Sequence, residues 1–259
     1  MEATFVGYSP SSMTALLTRH ELPMLQLDPE GPEWQRGSVF NPAVNRIGPH
    51  WRMMFRATPT AEFGVAGQYA SSIGVAESED GLSWTIRESP LIVATLPVEH
   101  GLGCEDPRAT VVSVEGNDPL TAVVKVFYNA VELRDGWTRP KVRVVHATVT
   151  NDYRDVEKHG VFLESGSPEE VRMKAAALFP EPLANGRWPV VFTFGTESPY
   201  GTLMYADHLT LDELKNGITK EELAAMFLNT REHNVLLAPP SPVERGPEVG
   251  APPLKVGDD

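Results

Sequence analysis

Two adjacent carboxylates, a proline and an arginine stand together in GLGCEDPRATVV, residues 101–112, at the mouth of a run that otherwise reads as a buried strand. Glu105 and Arg108 flank Asp106, so an ion pair between them would orient Asp106 or shift its pKa. A carboxyl set up in this way can do general acid chemistry. The competing use is structural, because an Asp before a proline commonly caps a turn and Glu105 serves equally well in a salt bridge. Other polar residues stand in suggestive places. Arg56 ends the apolar run WRMMFRA and needs a partner if buried. Asn41, in VFNPAV, carries an amide that can be neither base nor nucleophile. Lys174 ends SPEEVRMK, and Glu181 sits between two prolines in FPEP. The seven histidines show no His-Glu-x-x-His spacing and Cys104 is the single cysteine. Neither a metal site nor an internal disulfide is therefore expected, and no phosphate loop points to a nucleotide cofactor.

The elements that must position these groups read as β-strands. Short β-branched or alternating runs bounded by Gly, Pro, Asn and Asp recur along the chain. They are WRMMFRAT, SSIGVAES, LSWTIRES, RATVVSVE, AVVKVFYNA, KVRVVHATV, HGVFLES, RWPVVFTF and GTLMYADH, with turn signals at EDG, EGND and ANG between them. Helix is expected mainly in LTLDELKNGITKEELAAMF, where Thr210 is placed as a cap, and in a shorter turn at SPEEVRMK.

Four segments resemble one another: VFNPAV, CEDPRAT, LFPEPL and GAPPLKV, whose prolines recur at intervals of 65, 73 and 72 residues. A period of that size suits a four-stranded propeller blade. Polar residues just before the first strand of successive blades would converge on one axial pocket, and this reading makes Asn41, Asp106 and Glu181 equivalent.

Composition narrows the functions. The chain has 259 residues, 41% hydrophobic and 22% charged, with net charge −13 from 35 acidic and 22 basic residues. Such a surface repels a phosphate backbone or an anionic membrane, so nucleic acid and membrane partners are not expected. The longest apolar runs fall far short of the ~20 residues a spanning helix needs. The N-terminus MEATFVGYSP lacks a secretory pattern. With the lone cysteine, this gives a cytoplasmic expectation.

In order and spacing, VFNPAV, WRMMFRA, SSIGVAESEDGLSW, GCEDPRAT, KAAALFPEP and VGAPPLKV resemble glycoside hydrolase family 130, the β-mannoside phosphorylases and related β-mannosidases, over about residues 25–259. The resemblance implies an all-β, five-bladed β-propeller and an inverting single displacement on β-mannosides. It makes Asp106 the general acid, acting on the leaving oxygen through a sugar hydroxyl. Arg56, Arg108 and Lys174 fall to the anion or sugar site, with inorganic phosphate as co-substrate of a phosphorylase. Glu181 becomes the base candidate of a hydrolase, and Trp137, in the polar loop RDGWTRP, a platform for a sugar ring. Glu105 is the neighbour that sets the electrostatics of Asp106.

This sequence departs from the family pattern in three ways. Family members continue for about two more blades, so residues 1–259 are expected to be one propeller domain, C-terminally incomplete, with about three blades and the start of a fourth. A His-Arg pair on the strand after the third repeat is absent from RWPVVFTFGTES, and the Lys-Asp pair before that repeat is Lys174-Ala175 here. Phosphorolysis, forming mannose 1-phosphate, is slightly favoured over hydrolysis. The rival expectation is a non-catalytic carbohydrate-binding or scaffold propeller, or an inactive fragment. An uncovered blade face would also favour self-association into a homo-oligomer.

Overall fold

The computed structural model describes residues 23–26, 28, 30–59, 70–137, 140–164, 173–194, 202–219, 221–222, 235–237, 250 and 252. They form twelve strands in three antiparallel four-stranded sheets. The first sheet is β1 (Ser38–Ile47), β2 (His50–Thr58), β3 (Ser72–Ser78) and β4 (Thr85–Ile86). The second is β5 (Gly101–Ser113), β6 (Val123–Glu132), β7 (Lys141–Thr150) and β8 (Asp155–Glu164). The third is β9 (Met173–Leu178), β10 (Trp188–Phe194), β11 (Thr202–Leu209) and β12 (Val235–Leu237). Strand order follows chain order in each sheet, β1 packs on β5, and β5 packs on β9. This is an all-β, multi-sheet arrangement of propeller type, although no closed ring is seen among the described residues. The fourth repeat falls almost wholly outside them.

The cores lie between sheets, as the two-residue period of strands requires. On β7, Val145, Ala147 and Val149 face the first sheet and meet Met54, Ile73 and Val75. The alternate residue Val144 faces the third sheet with Phe127, Leu178 and Phe192. The outer face of the first sheet is covered by the chain itself. Trp34 stacks on Phe55 with ring centroids 5.9 Å apart and donates its indole N–H to the Glu88 carbonyl at 2.8 Å.

Four expectations need correction. GLGCEDPR lies inside β5 rather than before a strand. The LSWTIRES run pairs in register only at Thr85 and Ile86: Arg87 N–H still donates to Val75 O at 2.9 Å, but Ile92 takes the next place beside Ile73, and the Arg87 side chain bonds Glu77 and the carbonyls of Asp152 and Tyr153. Of the helical turn expected over 167–174, residues 167–172 lie outside the described set, and Met173 and Lys174 belong to β9: Ala176 and Leu178 pack toward the second sheet while Ala175 and Ala177 pack on the other side, so strand burial overrides the helix propensity of three alanines. The helix expected over 209–227 is reduced to a 3-10 turn at Glu213–Asn216, ended by Gly217 at φ 73, with helix again at 221–222; residues 220 and 223–227 lie outside the described set.

That 3-10 turn closes over His146 on the second sheet. The ring donates its Nδ1 hydrogen to the Leu214 carbonyl at 3.1 Å and stacks on Phe127 at 4.9 Å. Its Nε2 is buried with no hydrogen-bond partner. Burial, with Lys125, His159 and Lys215 adding to it, pushes its pKa down to about 3. The folded state therefore excludes a proton that the unfolded chain accepts below its ordinary value near 6.5. The stability held by neutral His146 is whole above that pH and is lost as pH falls toward 3, costing about 2–3 kcal/mol at pH 4.5. Urea midpoints at pH 7 and 4.5 should show this loss, and His146→Phe should flatten it.

Candidate functional site

The first strands of the three sheets share a defect. In β1 the register slips between Phe40 and Ala43, in β5 between Glu105 and Arg108, and in β9 between Lys174 and Ala176. Each slip is a bulge whose extra residue has positive φ: Asn41 at 50°, Asp106 at 52° and Ala175 at 56°. Asn and Asp tolerate this region because a short polar side chain bonds locally, whereas Ala has no such compensation. Bulges re-aim side chains beside active sites. Here they turn one residue per sheet out of the ladder where the sheets meet. The residue in register with Asn41 and Asp106 is thus Ala175, not Glu181. Glu181 is exposed in the turn after Leu178, at the other end of β9.

Asp106 is nearly buried, at 7% exposure, and both carboxylate oxygens are held. Oδ1 accepts from Asn41 Nδ2 at 2.5 Å and from Arg56 Nη1 at 3.2 Å, and Oδ2 accepts from Asn129 Nδ2 at 3.3 Å. Asn41 comes from the first sheet's bulge and Arg56 from β2, so two sheets build one constellation. The cation on Glu105 is also Arg56, through Nη2 at 2.6 Å, while Arg56 Nε donates to Ser71 Oγ at 3.0 Å and the guanidinium lies 4.5 Å over the Phe40 ring. The expected pairing of Glu105 with Arg108 is thereby corrected. Arg108 donates instead to the carbonyls of Asp106 and of Gly250, the latter at 3.2 Å. Its proximity to Glu105 in sequence does not bring the two heads together because the bulge rotates the chain between them.

Glu105 is the group whose ionisation the site changes most. Burial pushes its pKa up, with Asp106 adding, against the attraction of Arg56, the Ser71 hydroxyl and Lys174, to about 7. A buried carboxyl that titrates near neutrality is a frequent companion of catalysis. Lys174, on β9, is the weakest of the influences that hold the Glu105 pKa down. Trp137 lies in the β6–β7 turn with Arg134 over its ring at 5.4 Å, outside this constellation.

Two residues of the site lie outside the sequence expectations. Ser71 is joined to the second sheet by backbone bonds: its N–H donates to Leu102 O at 2.8 Å, and Cys104 N–H donates to its carbonyl at 2.9 Å. Asn129 lies opposite Glu105 in the ladder, just as Arg56 lies opposite Phe40. An aromatic-polar-alanine triplet, Phe55-Arg56-Ala57 and Tyr128-Asn129-Ala130, was the signal available for it. The SEDGLSW segment has a local explanation: Asp80 Oδ1 accepts from Leu82 N–H and Ser83 N–H at 2.8 and 2.7 Å, which shapes the β3–β4 turn. Among the described residues no three His, Cys, Asp or Glu side chains converge as a metal site. No helix among them is long and apolar enough to cross a membrane.

No protein-family model matches the chain. It is 28% identical over 156 residues to a 1,2-β-oligomannan phosphorylase of Thermoanaerobacter sp. (strain X514), covering 60% of this chain and 46% of that protein. It is 34% identical over 88 residues to a β-1,2-mannobiose phosphorylase of the same organism, covering 30% of this chain and 28% of that protein. Among solved structures, a protein of Parabacteroides distasonis ATCC 8503 classed with the glycoside hydrolases superposes with a TM-score of 0.53 at 21% identity, over 73% of this chain and 55% of that one. The chain is thus a distant homologue of mannoside phosphorylases over part of its length, and it spans less than half the length of either curated relative.

Proposed function

We propose that the chain carries part of a carbohydrate-active site that cleaves β-mannosides by an inverting single displacement, in the manner of glycoside hydrolase family 130. The observation that carries this reading is the Asp106 carboxylate, turned out of β5 by a bulge and gripped by Asn41, Arg56 and Asn129 from neighbouring strands and sheets. Distant homology to two phosphorylases of β-1,2-linked mannosides supports the same substrate class.

In this reading Asp106 supplies a proton to the leaving oxygen, relayed through a sugar hydroxyl. The anomeric C–O bond breaks with its electron pair passing to that oxygen. An oxygen of hydrogen phosphate bonds to the anomeric carbon from the opposite face, and the phosphate proton restores Asp106. Arg56, Arg108 and Lys174 supply the positive charge that a phosphate nucleophile needs. Arg56 is already shared between two carboxylates and Arg108 between two carbonyls, which argues for weak phosphate binding. Phosphorolysis remains slightly favoured because a hydrolase needs a second carboxylate to activate water, and Glu181 stands exposed beyond β9.

Incubating the protein with β-1,2-mannobiose, with and without phosphate, tests the reading. Mannose 1-phosphate formed only with phosphate is the expected outcome. Free mannose independent of phosphate would replace phosphorolysis by hydrolysis. Binding with neither product would leave a carbohydrate-binding propeller in place of an enzyme.

A further inference from the structure

At its bulge the third sheet reaches toward Asp106 through its backbone. The bulge in β9 takes Ala175 out of the ladder with β10, so its N–H is free to point elsewhere. It donates to Asn129 Oδ1 at 3.0 Å. That bond fixes which end of the Asn129 amide is oxygen, and the other end, Nδ2, lies 3.3 Å from Asp106 Oδ2. Asn129 is 2% exposed, so water does not compete for either bond. The first sheet does the same thing one step earlier: Arg56, at the ladder position equivalent to Asn129, reaches across to the bulge of the second sheet. The polar residues of β2 and β6 thus each bridge to the bulge of the following sheet.

We propose that Asn129 is a positioning residue for Asp106, its amide oriented by the backbone N–H that the Ala175 bulge releases. The role rests on the reading of Asp106 as the proton donor. Asn129 touches no reacting atom; it holds Oδ2 so that the carboxyl keeps one rotamer, and it makes that rotamer depend on the third sheet. A sheet with Ala at its bulge contributes through its backbone what the other two contribute through side chains.

The charged groups around this carboxyl are Arg56 from β2, bonded to it, and Glu105 beside it on β5; Arg108 donates to the Asp106 carbonyl, and Lys174 on β9 acts on Glu105. The test is therefore run in wild type and in Glu105→Gln, which removes the neighbouring titration. In both, the side-chain amide resonances of Asn129 should shift with the ionisation of Asp106, followed through its carboxyl carbon. Amide resonances indifferent to Asp106 would overturn the proposal. Asn129→Asp places a second carboxylate against Oδ2, and like charges resist joint ionisation. The pair should then show one titration moved up by about one pH unit or more, and the alkaline limb of kcat/KM should move with it. Asn129→Ser, smaller and less disruptive, should lower kcat by about 10-fold with KM little changed. A fall in thermal midpoint with the Asp106 titration and the pH profile unmoved would reduce Asn129 to a packing residue. Coupled titration in a protein inactive on mannosides would remove the mannoside reading and leave the amide's role standing. Turnover with an uncoupled amide would do the reverse.

Discussion

Asp106→Asn is expected to lower turnover of a β-mannoside by on the order of 10²–10⁴, the usual worth of a positioned proton donor. The variant suits the question because the backbone at this position is left-handed, with φ 52°, and asparagine accepts that conformation as readily as aspartate. The amide oxygen can still accept from Asn41 and Arg56 on the Oδ1 side. Its NH2 then faces the Asn129 donor, so about 1–2 kcal/mol of stability should be lost where two donors meet. Turnover and thermal midpoint must be measured together. A turn cap that did no chemistry would cost stability of about that size and leave turnover in place. Glu105→Gln should be milder in turnover, because it changes the electrostatic setting of Asp106 and not the proton itself. It should also remove the titration near pH 7 that burial produces at Glu105.

Gly103→Ala should be the most damaging single methyl in the second sheet. Gly103 has φ 84°, and a Cβ there would stand 2.2 Å from the Ser71 carbonyl oxygen, a backbone atom that cannot rotate away. Left-handed strain and overpacking together cost about 3 kcal/mol or more, a large share of the ~5–15 kcal/mol that holds a domain together. The loss reaches the site directly. Ser71 is the residue that joins the first sheet to β5 by backbone bonds, and its hydroxyl receives Arg56 Nε. Displacing Ser71 shifts the guanidinium that pairs with both Glu105 and Asp106. Chemical denaturation should show the lost stability, and the surviving folded fraction should turn over more slowly per molecule. Gly136→Ala, at φ 81° in open space, is the control for backbone strain without the collision.

The strand content of the chain was legible because alternation of apolar residues is a direct record of two-sided packing. Arg56 was legible as a charge ending an apolar run, and Asp106, Asn41 and Glu105 for a different reason: a proline one residue after a polar side chain stands at the bulges in β1 and β5. The same rule misled at the third sheet. It selected FPEP, with Glu181, because a proline stands there, whereas the bulge in β9 has no proline and is visible only as Ala175 at positive φ. Three successive alanines carry no local sign that one of them leaves the ladder. Asn129 was hidden for a related reason. Its role depends on which residue lies opposite Glu105 across a slipped register, and that register follows from sheet packing, not from the local run VFYNAVE. The pairing of Arg56 with Glu105 and Asp106 spans about fifty residues of chain, beyond the reach of any nearest-neighbour argument.

The central claim is that a β-mannoside binds against the Asp106 carboxyl. The most direct test titrates β-1,2-mannobiose into Asp106→Asn, which should bind without turning over. Four signals are followed: the Glu105 carboxyl carbon, the side-chain amides of Asn41 and Asn129, and the amide introduced at position 106. The account predicts saturable shifts in all four, absent with a β-linked glucose disaccharide. Saturable binding that leaves these four resonances unmoved, or no binding of the mannoside at all, would contradict it.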